Sequence, residues 1–362
     1  MARDLPVVDV DFLNYLKTDD PVLTSAVRNF QVGDLLRARD DLGKLGPGQG
    51  DPYAALIAAR IRRLLNPPDN AQPVCLIWQV SPKSFEGDWL RYILQGYYDT
   101  EIIDLCRKEV SRHMIVIDNR FDASREAYYR NAFLSDCTIL LIHLSDERFK
   151  DDLSAYRWCH TVYRNYWSPL ISGLKSVNFF LLGYKTGFTE QEVVPAASRP
   201  YLFGFAGDPN KSTRPEMVSA LSGIMGGKVH LTSGWNASDV LEVTSYQNIL
   251  RNCIFAPCPI GNINVDSFRV CEALECGAIP IVERRPGFDY FKNLLGDYPF
   301  PVIDKWEDAD RVMTAITRAD GGASLQARCY AWWVDYKQGL RARLGADCAL
   351  AFRRADKQPP GL

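Results

Sequence analysis

The segment CIFAPCPIGNINVDSFRVCEALECGAIPIVE, Cys253–Glu283, decides the fold of this 362-residue chain. Its apolar ends predict two short buried strands, and the Pro/Gly/Asn loop between them leads into a helix that starts near Asp266 and stops at Gly277. This order places a helix N-terminus at the mouth of a parallel sheet, where α/β proteins hold phosphate. We therefore expect an anion-binding site in this segment.

Polar residues recur every third position of the predicted helix, at Asp266, Arg269, Glu272 and Glu275. Apolar residues cover the rest, so one side of the helix is solvated or faces a ligand. Arg269 can add charge-assisted hydrogen bonds to phosphate, and Glu272, on the same side, can accept both hydroxyls of a ribose. An ordinary ion pair of Arg269 with Asp266 or Glu272 on a surface helix is the alternative interpretation.

Four cysteines of this segment, Cys253, Cys258, Cys271 and Cys276, have a spacing that suggests zinc. Cys271 and Cys276 lie five positions apart on the helix, which is about 140° around it, so their thiols diverge. We expect buried thiols here and no metal site.

The same alternation of short apolar runs and helical patterns extends over residues 198–320. It comprises YLFGFAG (201–207), a helix near 212–225, KVHLT (228–232) and a helix near 240–251, followed by the segment above. This pattern predicts a Rossmann-like domain with a parallel sheet. Residues 183–200 are rich in Gly, Pro and polar residues and are predicted to be a linker.

An earlier series of apolar runs predicts a second Rossmann-like domain over residues 71–190. The runs are VCLIWQV (74–80), HMIVID (113–118), CTILLIH (137–143) and VNFFLL (177–182), and they are apolar throughout, as in strands that are buried on both faces. Residues 1–70 carry helical patterns, including YAALIAARIRRLLN, and are predicted to form an N-terminal extension. Residues 321–362 are predicted to be C-terminal helices that pack back on the first domain.

The composition is that of an ordinary soluble globular protein, with 47% hydrophobic and 24% charged residues. A formal net charge of -2 disfavours a general nucleic-acid binder. We find no apolar run long enough to cross a membrane and no secretion signal at the N-terminus. The chain as given is therefore expected in the cytoplasm, with no integral membrane segment and no nucleic-acid partner.

Two parallel-sheet domains joined by a linker form a cleft between the carboxyl ends of their strands, where ligands of α/β proteins bind. In FAGDPNKSTRPEM (205–217), a strand that ends at Gly207 is followed by Lys211, Ser212 and Arg214 at the start of a helix. Backbone N–H groups, a hydroxyl and two cations at this point favour a diphosphate. A capped helix with basic surface residues is the alternative.

These residues carry a resemblance to a known family. Four motifs of this chain resemble the donor-binding half of the exostosin-like glycosyltransferases. They are YQNIL (246–250), FAPCPIG (255–261), SFRVCEAL (267–274) and GAIPIV (277–282). Together with RPYLFGFAG…STR and RNYW (164–167), the set resembles most the ribitol xylosyltransferase branch of that family.

The resemblance implies an α/β protein of the GT-B fold, with two Rossmann-like domains facing a cleft and the helical lead-in before them. It also implies inverting transfer of a hexosyl or pentosyl group from a nucleoside diphosphate donor, without a required metal. No cofactor is expected, since the nucleotide-sugar is the substrate. A UDP-sugar is expected as donor, with UDP-xylose favoured by the branch, and a carbohydrate or lipid-linked glycan as acceptor.

Carried over by motif position, Arg269 and Arg214 would hold the diphosphate and Glu272 the ribose. The backbone from Cys258 to Gly261 would hold the nucleotide base. The full set of expected donor-binding residues is Arg164, Gly207, Lys211, Ser212, Arg214, Cys258, Pro259, Gly261, Ser267, Arg269 and Glu272.

Inverting transfer needs one group that takes the proton of the acceptor hydroxyl, and this group should come from the first domain, across the cleft. Candidates at the strand ends are Glu86, Asp88, Asp118, His143, Asp146 and Glu147. We predict Asp146, with Asp88 next, although a helix cap is the alternative role for Asp146.

Two alternatives for the whole chain stay open at this point. One is a catalytically inactive GT-B module that recognises glycan or serves as a subunit of a synthase. The other is a different two-domain phosphate-ligand enzyme, such as a sugar-nucleotide epimerase.

Overall fold

The computed structural model describes residues 21–31, 34–45, 58 and 72–352, apart from residues 84, 85, 105–110, 136, 175, 189–191, 235, 236 and 286. Within these residues, the expected N-terminal extension contributes two helices that pack on each other, α1 (Pro21–Gln31) and α2 (Leu35–Leu42). The helix predicted from YAALIAARIRRLLN lies outside the described residues, apart from residue 58.

The first domain contains a parallel sheet of six strands in the order β2-β1-β3-β4-β5-β6. β1, β3 and β4 are buried along their whole length, which explains why their sequences are continuous apolar runs. The strands are β1 (Val74–Trp78), β2 (Thr100–Ile103), β3 (His113–Asp118), β4 (Thr138–His143), β5 (Thr161–Arg164) and β6 (Val177–Phe179), and the helices of this domain are α3 (Gly87–Leu94) and α4 (Ala123–Leu134).

The second domain contains a parallel sheet of five strands in the order β11-β10-β9-β7-β8. Its central strands β9 and β10 are the two ends of the segment Cys253–Glu283, and the helix between them is α7. The strands are β7 (Tyr201–Gly207), β8 (Gly227–Leu231), β9 (Cys253–Cys258), β10 (Ile279–Glu283) and β11 (Val302–Ile303), and the helices are α5 (Arg214–Leu221), α6 (Val243–Arg251), α7 (Phe268–Glu275), α8 (Tyr290–Leu295) and α9 (Ala309–Asp320).

A 30-residue helix, α10 (Ala323–Phe352), connects the two domains. On the second domain its Lys337 ammonium lies 3.0 Å from the Glu275 carboxylate of α7 in a buried ion pair. Further along, the hydroxyl of Tyr163 in β5 donates to Asp347 at 2.7 Å. Two parallel-sheet α/β domains, linked once through the middle of the chain and again by a returning C-terminal helix, make the GT-B fold that was expected.

Candidate active site

A cavity of about 450 Å³ lies between the carboxyl ends of the two sheets. The first domain lines it with residues that follow β1, β4, β5 and β6, and the second with residues that end or follow β7, β8 and β9. The first turn of α7 completes the second wall. This is the position and the size of a small-molecule site in an α/β protein.

Two arginines of the second domain meet at this cavity. Arg214, at the start of α5, is buried and donates to the carbonyl of Asp208 at 2.9 Å. Arg269, in the first turn of α7, is partly buried and donates to the carbonyl of Ala206 at 2.9 Å. Within the described residues, the buried Nε of each guanidinium has no hydrogen-bond partner. Burial lowers the pKa of Arg214 to about 10, and the nearby charge of Arg269 adds to the effect.

Gly207 leaves room for this arrangement at the end of β7. Its φ of +148° is one that residues with a side chain rarely adopt. A Cβ at this position would lie 2.3 Å from Nη2 of Arg269. A glycine is therefore required for Arg269 to cross the end of the strand.

The N-terminus of α7 offers further donors to the cavity. Ser267 precedes the helix in an extended conformation and makes no side-chain capping bond. Its hydroxyl is buried and has no partner within the described residues, although Ser267 lines the cavity. The positive end of the helix dipole and an uncommitted hydroxyl both suit an anion.

Glu272 lies one turn further along α7 on the same wall. It is 2% exposed, and its carboxylate accepts a 3.4 Å hydrogen bond from the backbone of Lys185. Burial raises the pKa of Glu272, while the charges of Arg269 and Lys185 act in the opposite direction. A carboxylate held this way beside a cation can accept the two hydroxyls of a ribose.

Glu147 crosses the cavity from the first domain. Its carboxylate accepts hydrogen bonds from the backbone N–H groups of Asn262, Ile263 and Asn264 at 3.2, 2.9 and 3.0 Å. These three groups belong to the loop between β9 and α7. The loop therefore forms a small anion-binding concavity, which the first domain fills with a carboxylate.

Comparison with known proteins finds relatives of the second half of the chain. Residues 185–346 match the family model described as the RXYLT1 C-terminal domain. A probable glycosyltransferase of Arabidopsis thaliana is 30% identical over 125 residues, which are 32% of this chain and 24% of that protein. The resemblance to the exostosin-like glycosyltransferases is confirmed. The chain covers about a quarter of the length of this curated relative.

Two of the solved structures that match this chain do so at low identity. An α1,3-fucosyltransferase is 11% identical and has a TM-score of 0.45, over 76% of this chain and 92% of its own. The Anabaena protein HepE in complex with UDP-glucose is 9% identical and has a TM-score of 0.48, over 76% of this chain and 100% of its own.

Most of the donor-binding residues expected from the exostosin-like motifs lie at the cavity. Those that line it are Gly207, Lys211, Arg214, Gly261, Ser267, Arg269 and Glu272. They come from two separate segments of the second domain, 207–214 and 261–272, so the fold brings them together.

Four expected donor-binding residues do not line the cavity. Ser212 is exposed on the loop before α5, with a left-handed φ of +48°. Cys258 and Pro259 are buried at the end of β9, where the Cys258 thiol faces the carbonyl of Ala256. Gly261 and Asn262 of the same loop reach the cavity instead. Arg164 is 1% exposed and forms an ion pair within the first domain.

That ion pair also accounts for Asp146, the base predicted from the exostosin-like mechanism. One carboxylate oxygen lies 3.2 Å from the Arg164 guanidinium, and the other accepts from the backbone of Lys150 at 2.8 Å. The neighbours Ser145 and Glu147 line the cavity, but Asp146 does not. Ser145 has a left-handed φ of +68°, so the chain turns directly before Asp146. Asp146 therefore stabilises the turn after β4.

Asp88, the second predicted base, also lies away from the cavity. It occupies the first turn of α3, and its side chain is 43% exposed. Its carboxylate accepts a 2.8 Å hydrogen bond from the backbone of Gly187. Asp88 therefore links α3 to the interdomain linker.

Two carboxylates of the first domain do line the cavity, Glu86 and Glu147. Both follow strand ends and are among the six candidates from the sequence, which favours Asp146 and then Asp88 over them. The signal that separates them from Asp146 and Asp88 is the direction of each side chain. This direction depends on the conformation of the loops after β1 and β4.

The cysteines of the opening segment are buried thiols, as expected. Within the described residues, one group of side chains has metal-ligand spacing: His143, Asp146 and Asp151, with one atom of each within 4.8 Å of the others. These atoms already serve other partners, because His143 bonds Tyr156 and Asp151, and Asp146 bonds Arg164. The group is a hydrogen-bonded network beneath the turn after β4.

Finally, no helix among the described residues combines the length and the apolar character that a bilayer span requires.

Proposed function

We propose that the chain is a glycosyltransferase that moves a sugar from a nucleoside diphosphate donor to a hydroxyl of a carbohydrate or lipid-linked glycan. One observation carries the proposal. Arg214 and Arg269 bring two guanidiniums to one cavity, and neither has an ion-pair partner among the described carboxylates. Like charges at a partly buried site destabilise the protein unless an anion joins them. A diphosphate supplies that anion and can accept hydrogen bonds from both side chains.

Other residues of the cavity suit the ribose and the diphosphate of a nucleotide-sugar. Glu272 is available for the ribose hydroxyls, and Lys211 adds a cation beside the diphosphate site. Uridine as the base follows from the exostosin-like resemblance, and xylose as the sugar from the ribitol xylosyltransferase branch. A few polar contacts decide whether a site accepts a sugar with one hydroxyl more or one fewer. The donor sugar is therefore identified by testing a panel of UDP-sugars.

The chemistry proposed is inverting transfer. The acceptor oxygen attacks the anomeric carbon from the face of the first domain, and the bond from that carbon to the diphosphate breaks on the side of the second domain. Arg214, Arg269 and the N-terminus of α7 stabilise the negative charge that develops on the leaving diphosphate. In this proposal these groups make a catalytic metal unnecessary.

Calorimetric titration with UDP tests the donor site. The wild-type chain should bind UDP, and Arg269→Ala should weaken the affinity by tenfold or more, since a charge-assisted hydrogen bond contributes roughly 1.5–3 kcal/mol. Arg318→Ala is the matched control, because Arg318 is exposed on α9 of the same domain. Absence of UDP binding to the wild type contradicts the proposal. UDP binding without sugar transfer would favour the inactive glycan-binding module instead.

A further inference from the structure

The cavity is lined by five acidic residues, Glu86, Glu147, Asp208, Asp266 and Glu272. The proposed reaction requires one carboxylate that removes a proton from the acceptor hydroxyl, on the wall opposite the leaving diphosphate. Asp208, Asp266 and Glu272 belong to the second domain and stand on the same wall as Arg214 and Arg269. The choice on the first-domain wall is therefore between Glu86 and Glu147.

Glu147 already binds the loop between β9 and α7. Its carboxylate accepts four hydrogen bonds from the loop of the second domain, three from backbone N–H groups and one from the Asn262 side chain at 2.8 Å. These four donors occupy the lone pairs with which the carboxylate could accept the proton of an acceptor hydroxyl.

Glu86 has the opposite environment. It follows β1, is 4% exposed, and lines both the large cavity and a smaller pocket that also contains Ser81, Asn119 and Ser145. It stands at the N-cap position of α3 but makes no side-chain capping bond. Within the described residues, its carboxylate has no ion-pair partner and accepts no hydrogen bond from another side chain.

We propose that Glu86 is the general base that deprotonates the acceptor hydroxyl in this cleft. The proposal rests on the proposed glycosyltransferase function. As the acceptor oxygen forms its bond to the anomeric carbon, its proton passes to the Glu86 carboxylate. The bond between the anomeric carbon and the diphosphate oxygen breaks, and its electron pair leaves with the nucleoside diphosphate.

The proton affinity of Glu86 suits this step. Burial raises the pKa of Glu86 to about 7, and the hydrogen bond with its own backbone opposes the shift only in part. A base whose pKa lies near the working pH is present in its charged form and still binds a proton firmly. Burial raises the pKa of the nearby Tyr166 hydroxyl, and the charge of Glu86 is among those that add to the increase.

The test compares wild type, Glu86→Gln, Glu86→Asp and Asp88→Asn in two assays. The first measures UDP affinity by calorimetry. The second follows UDP release by mass spectrometry from UDP-xylose, UDP-glucose, UDP-galactose and UDP-N-acetylglucosamine, with water as the acceptor. Asp88→Asn is the matched control, since Asp88 lies two positions away and does not line the cavity.

We expect Glu86→Gln to bind UDP within about threefold of the wild type and to release UDP roughly 10²–10⁴-fold more slowly. Glu86→Asp should fall between the two, and Asp88→Asn should match the wild type. Release by Glu86→Gln within threefold of the wild type overturns the assignment of the base alone. Loss of UDP affinity in Glu86→Gln also overturns it, because Glu86 would then support the donor. If the wild type binds UDP but hydrolyses no donor, the proposed function itself fails.

Discussion

Glu147 and Asn262 join the two domains across the mouth of the cleft: the Asn262 side chain donates to the Glu147 carboxylate at 2.8 Å, and its backbone N–H donates at 3.2 Å. The next two backbone N–H groups, of Ile263 and Asn264, complete the contact. The loop that leads into α7 is therefore held by a side chain of the opposite domain. In this structure, Glu147 is a link between the domains and not a free acid.

Glu147→Ala should lower the free energy of unfolding by about 1–2 kcal/mol, because the loop loses a charge-assisted acceptor that water replaces only in part. Urea unfolding measures the effect. The matched control is Glu307→Ala, an exposed carboxylate of the second domain, which should stay within about 0.5 kcal/mol of the wild type. Equal stabilities of the two variants would show that the link contributes nothing.

Gly207→Ala should weaken UDP binding by roughly tenfold or more. The added Cβ meets the Arg269 guanidinium at 2.3 Å, and the backbone φ of +148° is unfavourable for alanine. Calorimetric titration with UDP provides the measurement. Gly223→Ala is the control, since a Cβ there has no atom within 4 Å. Wild-type affinity in Gly207→Ala would mean that Arg269 does not hold the diphosphate from this position.

Lys337→Met should destabilise the chain by about 3–5 kcal/mol, because it leaves the Glu275 carboxylate buried without its cation. Thermal and urea unfolding both report the loss. Combining it with Glu275→Leu should restore much of the stability, although Trp333 then loses the 2.5 Å acceptor of its indole N–H. A single variant as stable as the wild type would contradict the role of this pair in fixing α10 to α7.

The pH dependence of stability should show that the pKa of Glu86 is raised in the folded chain. Its pKa is raised from 4.5 to about 7 in the folded chain, so the folded state keeps a proton that the unfolded state has lost. The contribution of this group to the free energy of unfolding is therefore fully present below about pH 4.5 and is lost as the pH rises to about 7. Relative to the wild type, Glu86→Gln should gain stability over this window, and parallel urea curves from pH 4.5 to 8 would contradict the shift. Asp266 and Asp118, whose pKa values burial also raises, stay the same in both proteins.

Much of the fold could be predicted from the sequence, because the central strands are short apolar runs between turn residues. β3, β7 and β9 begin and end where the patterns place them. β2, β5 and β11 were not predicted. β2 is exposed along its length and β11 has two residues, so neither has the burial pattern of a central strand, while β5 has four residues and ends in the buried Arg164.

The site was predictable where residues lie on a regular helix. Arg269 and Glu272 line the cavity because three positions on a helix bring side chains to one face. Glu275 continues the same series but is buried against α10, since the long helix covers that end of α7. The first-domain wall consists of loops, where the left-handed Ser145 directs Glu147 to the cavity and Asp146 to Arg164. Periodicity carries no information about such turns.

Turnover of a panel of UDP-sugars by the wild type and by Arg269→Ala, with free UDP quantified by mass spectrometry, tests whether this cleft transfers glycosyl groups. We expect the wild type to release UDP from at least one UDP-sugar and Arg269→Ala to do so at least roughly 10²-fold more slowly, because the leaving diphosphate loses a cation. If the wild type releases UDP from none of the donors, or if Arg269→Ala releases it at the wild-type rate, the cleft is not the glycosyl-transfer site described above.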